Sequence, residues 1–321
     1  MTTNHTGPTI QVHGLRKSYG RQVVLDGIDF EIAQGTVFSM LGPNGAGKTT
    51  TVQILSTLIS PDDGHVFVEG HDLSREPDAV RAAIGVTGQF SATDRFLTGE
   101  ENLVLMADLR HMGKREGRRR AAELLDRFDL AEAAGKPVST YSGGMQRRLD
   151  LAMTLVGDPR IIFLDEPTAG LDPRSRRTMW QIVRDLVASG VTIFLTTQYL
   201  EEADHLADRI AVLDHGKLVA QGTAAELKRL VPGGHISLQF TDAAVLEKAA
   251  LLLKPTSRDD EALTLQLPGG GDVRSLKSML DRLAEAGIEV DGLTVHTPNL
   301  DDVFLALTGH PDTTQPQEAI A

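Results

Sequence analysis

The stretch Gly42-Pro43-Asn44-Gly45-Ala46-Gly47-Lys48-Thr49-Thr50 constrains this chain more than any other. It follows the apolar run Val37–Leu41 and precedes a helical pattern over Thr49–Ile59, so its glycines fall at a strand-to-helix turn. Without a Cβ, such residues let successive backbone N–H groups curl around phosphate oxygens, and the helix N-terminus adds a positive dipole. Lys48 is then within reach of the β- and γ-phosphates, and the Thr49 hydroxyl is a ligand for Mg²⁺. A glycine-rich turn that merely holds a lysine needs no apolar strand before it. The context therefore predicts an α/β fold in which residues 42–50 bind a nucleotide.

A second element points the same way. Ile161-Ile162-Phe163-Leu164-Asp165-Glu166 reads as a buried strand ending in two acids. Alone, such an end is an ordinary solvated strand terminus. Downstream of a phosphate loop, Asp165 is placed to hold Mg²⁺, mostly through water, and Glu166 to polarise an attacking water. Between loop and acids lies Tyr141-Ser142-Gly143-Gly144-Met145-Gln146-Arg147, and after the acids comes Ala169-Gly170-Leu171-Asp172. Ser-Gly-Gly at the head of a helix can offer hydroxyl and N–H donors to a phosphate. One cradle is already supplied, so a second implies a further phosphate contact.

In this order and with these neighbours the motifs resemble the ABC ATPase family, over about residues 9–231. The resemblance implies a P-loop NTPase fold with a helical signature subdomain at about 97–157. It implies ATP as substrate, Mg²⁺ as cofactor, and a head-to-tail homodimer with two ATPs between the subunits. It also implies a separately encoded integral-membrane permease, and a place at the cytoplasmic face of the cell membrane. By the same resemblance Tyr19 stacks on adenine, while Gln89 senses Mg²⁺ and faces the permease. Ser142, Gly143 and Gly144 close over the ATP of the opposite subunit, and Asp172 lies at the dimer interface.

The chain departs from the family in two places. The signature has Tyr141 and Met145 where Leu and Gln are usual, and Gln198 follows Thr196-Thr197 where most members carry histidine. Glutamine can donate to and accept from a γ-phosphate, but it neither carries charge nor titrates near neutral pH. Thr196-Thr197-Gln198-Tyr199-Leu200 and the closing Leu300–Gly309 resemble the ATP-binding subunits of daunorubicin-type antibiotic-resistance exporters. That branch implies efflux of a drug or a lipid-like hydrophobic compound.

The remaining features narrow the alternatives. The 321 residues carry a net charge of −12, which leans away from nucleic acid as a partner. A soluble ABC ATPase acting on nucleic acid or the ribosome is the competing class, and the zinc cysteines often found there are absent, as is any cysteine. No apolar run approaches the roughly 20 residues of a spanning helix. Lys114, Arg115, Arg118, Arg119 and Arg120 read as a solvated helix face. Pro232-Gly233-Gly234 is the expected domain boundary. Beyond it strands and helices alternate as in a small α+β accessory domain over 235–309, with Pro268-Gly269-Gly270-Gly271 as an internal linker. The polar residues 310–321 are expected to be disordered.

Overall fold

The computed structural model describes residues 7–88, 92–231, 234–268, 273–296 and 298–309. Gln89, Pro232, Gly233, Gly269–Gly271 and the tail 310–321 lie outside the described residues. The chain forms two compact units, Met1–Ala224 and Ala225–Ala321.

The first unit opens with β1 (Ile10–Tyr19) and β2 (Gln22–Ile32), an antiparallel pair in which Ile10 faces Ile32 and Val12 faces Phe30. β3 (Val37–Leu41) then leads through the glycine loop into α1 (Lys48–Leu55). β4 (Asp63–Val68) and β5 (His71–Asp72) complete a sheet of order β2-β1-β4-β5. After α2 (Pro77–Ala83) and β6 (Ile84–Thr87) come the helices α3 (Gly99–Leu109), α4 (Lys114–Arg127) and α5 (Gly143–Thr154). The chain then alternates β7 (Ile161–Asp165), α6 (Pro173–Ala188), β8 (Thr192–Thr197), α7 (Leu200–Leu206) and β9 (Arg209–Asp214). β10 (Lys217–Gly222) and the short α8 (Ala224–Lys228) follow.

The second sheet has the order β10-β9-β3-β8-β7-β6 and is parallel except for the β9–β10 hairpin. Every residue of β3, β7 and β8 is buried. Parallel strands covered on both faces read as continuous apolar runs, which is why Val37–Leu41 and the run from Ile161 stood out in the sequence. Phe194 of β8 anchors one face, its ring 5.6 Å from both Phe38 and Phe163. On the other face Leu164, Leu195 and Ile193 pack with Leu149, Leu151 and Trp180 from α5 and α6.

The Asp214–Lys217 turn is a two-residue hairpin, with left-handed His215 and Gly216 at its centre. α1 stops at Leu55, short of the expected Ile59. Thr57 turns left-handed, Leu58 N–H reaches back to Gln53 O and Thr57 N–H to Ile54 O, a Schellman end that closes the helix. The basic run on α4 is not uniform. Lys114, Arg115, Arg118 and Arg119 are exposed, while Arg120 is drawn into ion pairs with Glu123 and Asp158.

The second unit is an antiparallel sheet of β11 (His235–Gln239), β12 (Ser257–Asp259), β13 (Thr264–Pro268) and β14 (Gly292–His296), in the order β12-β13-β11-β14. α9 (Ala243–Leu253), α10 (Val273–Glu285) and α11 (Leu300–Thr308) accompany it, and Leu238, Leu246, Leu265 and Leu283 form its core. β12 was not expected, since Ser257-Arg258-Asp259 is wholly exposed and has no apolar alternation. The last strand starts at Gly292 rather than Ile288. Ile288 is buried, but it caps the end of α10, with its N–H bonded to Leu283 O. No helix among the described residues is long and apolar enough to cross a membrane.

Candidate nucleotide site

In open α/β sheets, ligands bind beyond the carboxyl ends of the strands. Here β3, β8 and β7 are neighbours, with Leu41 paired to Thr197 and Asp165 to Thr196. That register brings the glycine loop, the two acids and Gln198 to one edge. Within the loop, Pro43 O accepts from Ala46 N–H at 3.2 Å, Asn44 and Gly45 are exposed, and Thr50 is half-buried. Gly47 has φ 112, and a Cβ there would stand 2.7 Å from Leu25 Cδ2 and 2.8 Å from Val24 O. No other residue fits that position without moving the β2 backbone.

Lys48 is buried and folds back on the loop, its Nζ donating to Gly42 O at 2.7 Å and Pro43 O at 3.0 Å. Glu166 Oε1 lies 3.9 Å from the same nitrogen. Burial pulls the Lys48 ammonium below the usual lysine range, and the charges of Glu166 and Asp165 oppose that pull. Thr49 Oγ1 donates to Asp165 Oδ2 at 3.0 Å, and Thr196 Oγ1 donates to Asp165 Oδ1. Glu166 N–H donates to Thr196 O at 3.1 Å. Glu166 itself has φ 48, a left-handed conformation that costs a non-glycine residue about 1–2 kcal/mol.

Ser142, Gly143, Gly144 and Asp172 form a second group, exposed except for the half-buried Gly144. Ser142 caps α5, accepting from Met145 N–H at 3.3 Å. Asp172 caps α6, accepting from Arg174 N–H, Ser175 N–H and Ser175 Oγ, and the Ser175 bonds hold its carboxyl below the usual range. A Cβ on Gly144 would stand 2.5 Å from Ser175 Oγ, so the two helix heads meet at a residue whose side chain would have to push Ser175 aside. No hydrogen bond or ion pair among the described residues joins this group to Lys48, Thr49, Asp165 or Glu166. Tyr19 sits at the end of β1, half-exposed, with Lys17 Nζ 5.7 Å from its ring centroid. Gln198 is half-buried directly after β8 and makes no side-chain hydrogen bond to another described residue. Gln89 lies outside the described residues.

Three residues of this site escaped the sequence reading. Thr196 bridges the two acids, and the strand pairing that puts it opposite Asp165 is visible only in the sheet. Arg147 of α5 reaches the main chain around the acids. Glu202 is buried, with Oε1 accepting from Thr168 Oγ1 at 2.9 Å and Trp180 Nε1 at 3.2 Å. Its place in Leu200-Glu201-Glu202, on a helix that reads as amphipathic, gave one signal: one of two adjacent acids had to face inward.

The family model described as ABC transporter matches residues 25–169. The daunorubicin resistance ATP-binding protein of Streptomyces coeruleorubidus is 51% identical, with 94% of this chain and 96% of that one covered. Nod factor export ATP-binding protein I of Ralstonia nicotianae is 37% identical, with 94% of each covered. A solved dimeric ATP-binding cassette in a post-hydrolysis state, bound to ADP and Pi, is 27% identical with a TM-score of 0.61, covering 67% of this chain and 98% of that one. A likeness this deep along nearly the whole of both chains is not a matter of one motif, and the chain belongs to the ABC transporter ATP-binding proteins, a family of ATPases within which it groups with the daunorubicin/doxorubicin-resistance members.

Proposed function

We propose that two copies of this chain enclose two ATP·Mg²⁺, and that hydrolysis drives a separate integral-membrane permease in efflux of a drug or lipid-like hydrophobic compound. The observation that carries the reading is the convergence of Lys48, Thr49, Asp165 and Glu166 at the carboxyl ends of β3 and β7. The 42–50 loop wraps the phosphates, Lys48 exchanges its carbonyl partners for the β/γ-phosphates, and Tyr19 offers its exposed face to adenine. Glu166 takes the proton of the attacking water, and Gln198 hydrogen-bonds the γ-phosphate as a neutral amide.

The oxygens of Thr49 and Asp165 suit Mg²⁺, a hard cation that is held by one or two protein groups plus substrate phosphates. When bound, it neutralises charge on the β- and γ-phosphates. Gln89 is assigned to the same ion. Ser142, Gly143, Gly144 and Asp172 serve the partner copy, which accounts for their exposure and their separation from Lys48.

For the permease, a groove of about 410 Å³ is lined by Val86, Met106, Met153, Arg81 and Arg110. This surface would place the chain peripherally at the cytoplasmic face of the membrane. The relatives' names, daunorubicin resistance and Nod factor export, support efflux of such a compound. Residues 235–309 act as an accessory domain.

The chemistry is tested on purified variants. Glu166→Gln should bind ATP as the wild type does and lose turnover, whereas Lys48→Ala should lose binding itself. Hydrolysis at the wild-type rate by Glu166→Gln contradicts the assignment. Co-expression with its integral-membrane permease should lower daunorubicin accumulation in cells, and Glu166→Gln should abolish that effect. Equal accumulation in both strains rejects this cargo class.

A further inference from the structure

We infer that Arg147 is the positioning residue that holds Glu166 in its reactive posture, through main-chain carbonyls alone. The inference rests on the reading of Glu166 as the group that activates water. Arg147 lies on α5, five residues after Ser142, the cap of the same helix. Its Nε donates to Pro167 O at 2.9 Å. Nη2 donates to Asp165 O at 2.9 Å and to Glu166 O at 3.1 Å, and Nη1 donates to Gly88 O at 2.8 Å. Three consecutive carbonyls thus converge on one guanidinium.

Carbonyls of consecutive residues point apart in a strand and converge only where the chain curls. Here the curl is the left-handed Glu166. A residue other than glycine keeps that conformation only when its surroundings over-determine it. Thr196 holds the N–H side of the turn and Arg147 holds the carbonyl side, so Glu166 is gripped from two directions. A planar fork with donors on two edges suits this task; an ammonium, one point with three donors, cannot span four carbonyls in that geometry.

Burial pulls the Arg147 guanidinium below its usual range, while Asp150, Asp165, Glu202 and Glu166 oppose the shift by their charge. The half-buried cation is balanced by the acids around it. It touches no reacting atom in this arrangement, because its partners are all carbonyl oxygens. Its effect is to fix the direction of the Glu166 carboxylate, which at 3.9 Å from Lys48 already faces the phosphate side. Because Arg147 and Ser142 share one helix, contact of a partner's nucleotide with the head of α5 is felt at the turn that carries this copy's own Glu166.

The test uses full-length Arg147→Lys and Arg147→Ala, with ATP affinity and turnover measured separately. Both variants should keep the dissociation constant for ATP within about threefold of the wild type, since neither the loop nor Lys48 is touched. Turnover should fall about 10- to 100-fold, less than the roughly 10²–10⁴-fold that an acid–base group itself contributes, because the carboxylate is misdirected rather than removed. Millimolar guanidinium chloride should restore part of the rate of Arg147→Ala, while sodium chloride at equal ionic strength should not. In a Glu166→Gln background, Arg147→Lys should add little further loss, as expected for residues that act as a unit. Turnover within twofold of the wild type in a folded Arg147→Lys overturns the inference, as does parallel loss of ATP affinity and rate without guanidinium rescue. Should Arg147→Ala not fold, Arg147→Lys decides the matter. An active Glu166→Gln would instead reject the underlying assignment of the base, so the two failures are distinguishable.

Discussion

At Gln198 the chain places a neutral amide where most of its family carries a ring that titrates near neutral pH. The side chain stands at the end of β8, one residue beyond Thr197 and two beyond the Thr196 that bridges the acids. If it hydrogen-bonds the γ-phosphate, Gln198→Ala should slow hydrolysis by about 10-fold or more with little change in ATP affinity. Fixed donors to developing charge reach about 10²–10³ in rate, and a loop residue falls below that. Gln198→His should stay active and acquire a pH dependence near about 6.5 in steady-state ATPase rates. Unchanged turnover in Gln198→Ala would remove Gln198 from the catalytic set.

Glu202 supplies a second residue-level test. Burial raises its carboxyl above the usual range, against the opposing bonds from Thr197, Thr168 and Trp180. A raised folded-state pKa favours the neutral form in the native protein, so its stabilising contribution is complete below the unfolded pKa and is lost as pH rises through the folded one. Glu202→Gln is neutral at every pH. Its urea midpoint relative to the wild type should therefore climb from pH 5 to pH 8; a constant difference would contradict this.

Among the elements, those buried on both faces were the most legible. β3, β7 and β8 announce themselves by the apolar runs Val37–Leu41, Ile161–Leu164 and Val191–Thr196, because parallel strands under two layers need few polar positions. The hairpin at Asp214–Lys217 is equally plain from its His215-Gly216 turn chemistry. β12 was hidden because its exposed residues join the sheet through backbone pairing alone. The same reason hid half of the site. The sequence displayed Lys48, Asp165 and Glu166 by their spacing, but Arg147 acts on carbonyl oxygens, which every residue has. Thr57 likewise ends α1 by a conformation that its side chain does not advertise. Phe194 tests the packing of these elements. It stands among Phe30, Phe38 and Phe163, and Phe194→Ala should destabilise the first unit by about 3–5 kcal/mol in urea unfolding. A loss under about 1 kcal/mol would mean that the cluster does not hold the two sheets of that unit together.

For the molecule as a whole, the division of the site decides the mechanism. One chain carries one glycine loop, one pair of acids and one Ser-Gly-Gly head, and the last of these stands apart from the other two. A second copy is what would set Ser142 and Gly143 of one chain against a nucleotide held by Lys48 of the other. On the proposed function, closure would assemble the site and hydrolysis at Glu166 would release it. Blocking hydrolysis should trap the closed form, so sedimentation velocity of Glu166→Gln with and without ATP and Mg²⁺ reads the central claim directly. The expected result is a monomer without nucleotide and a dimer with ATP·Mg²⁺. A monomer in both conditions, with ATP shown to be bound, would contradict it.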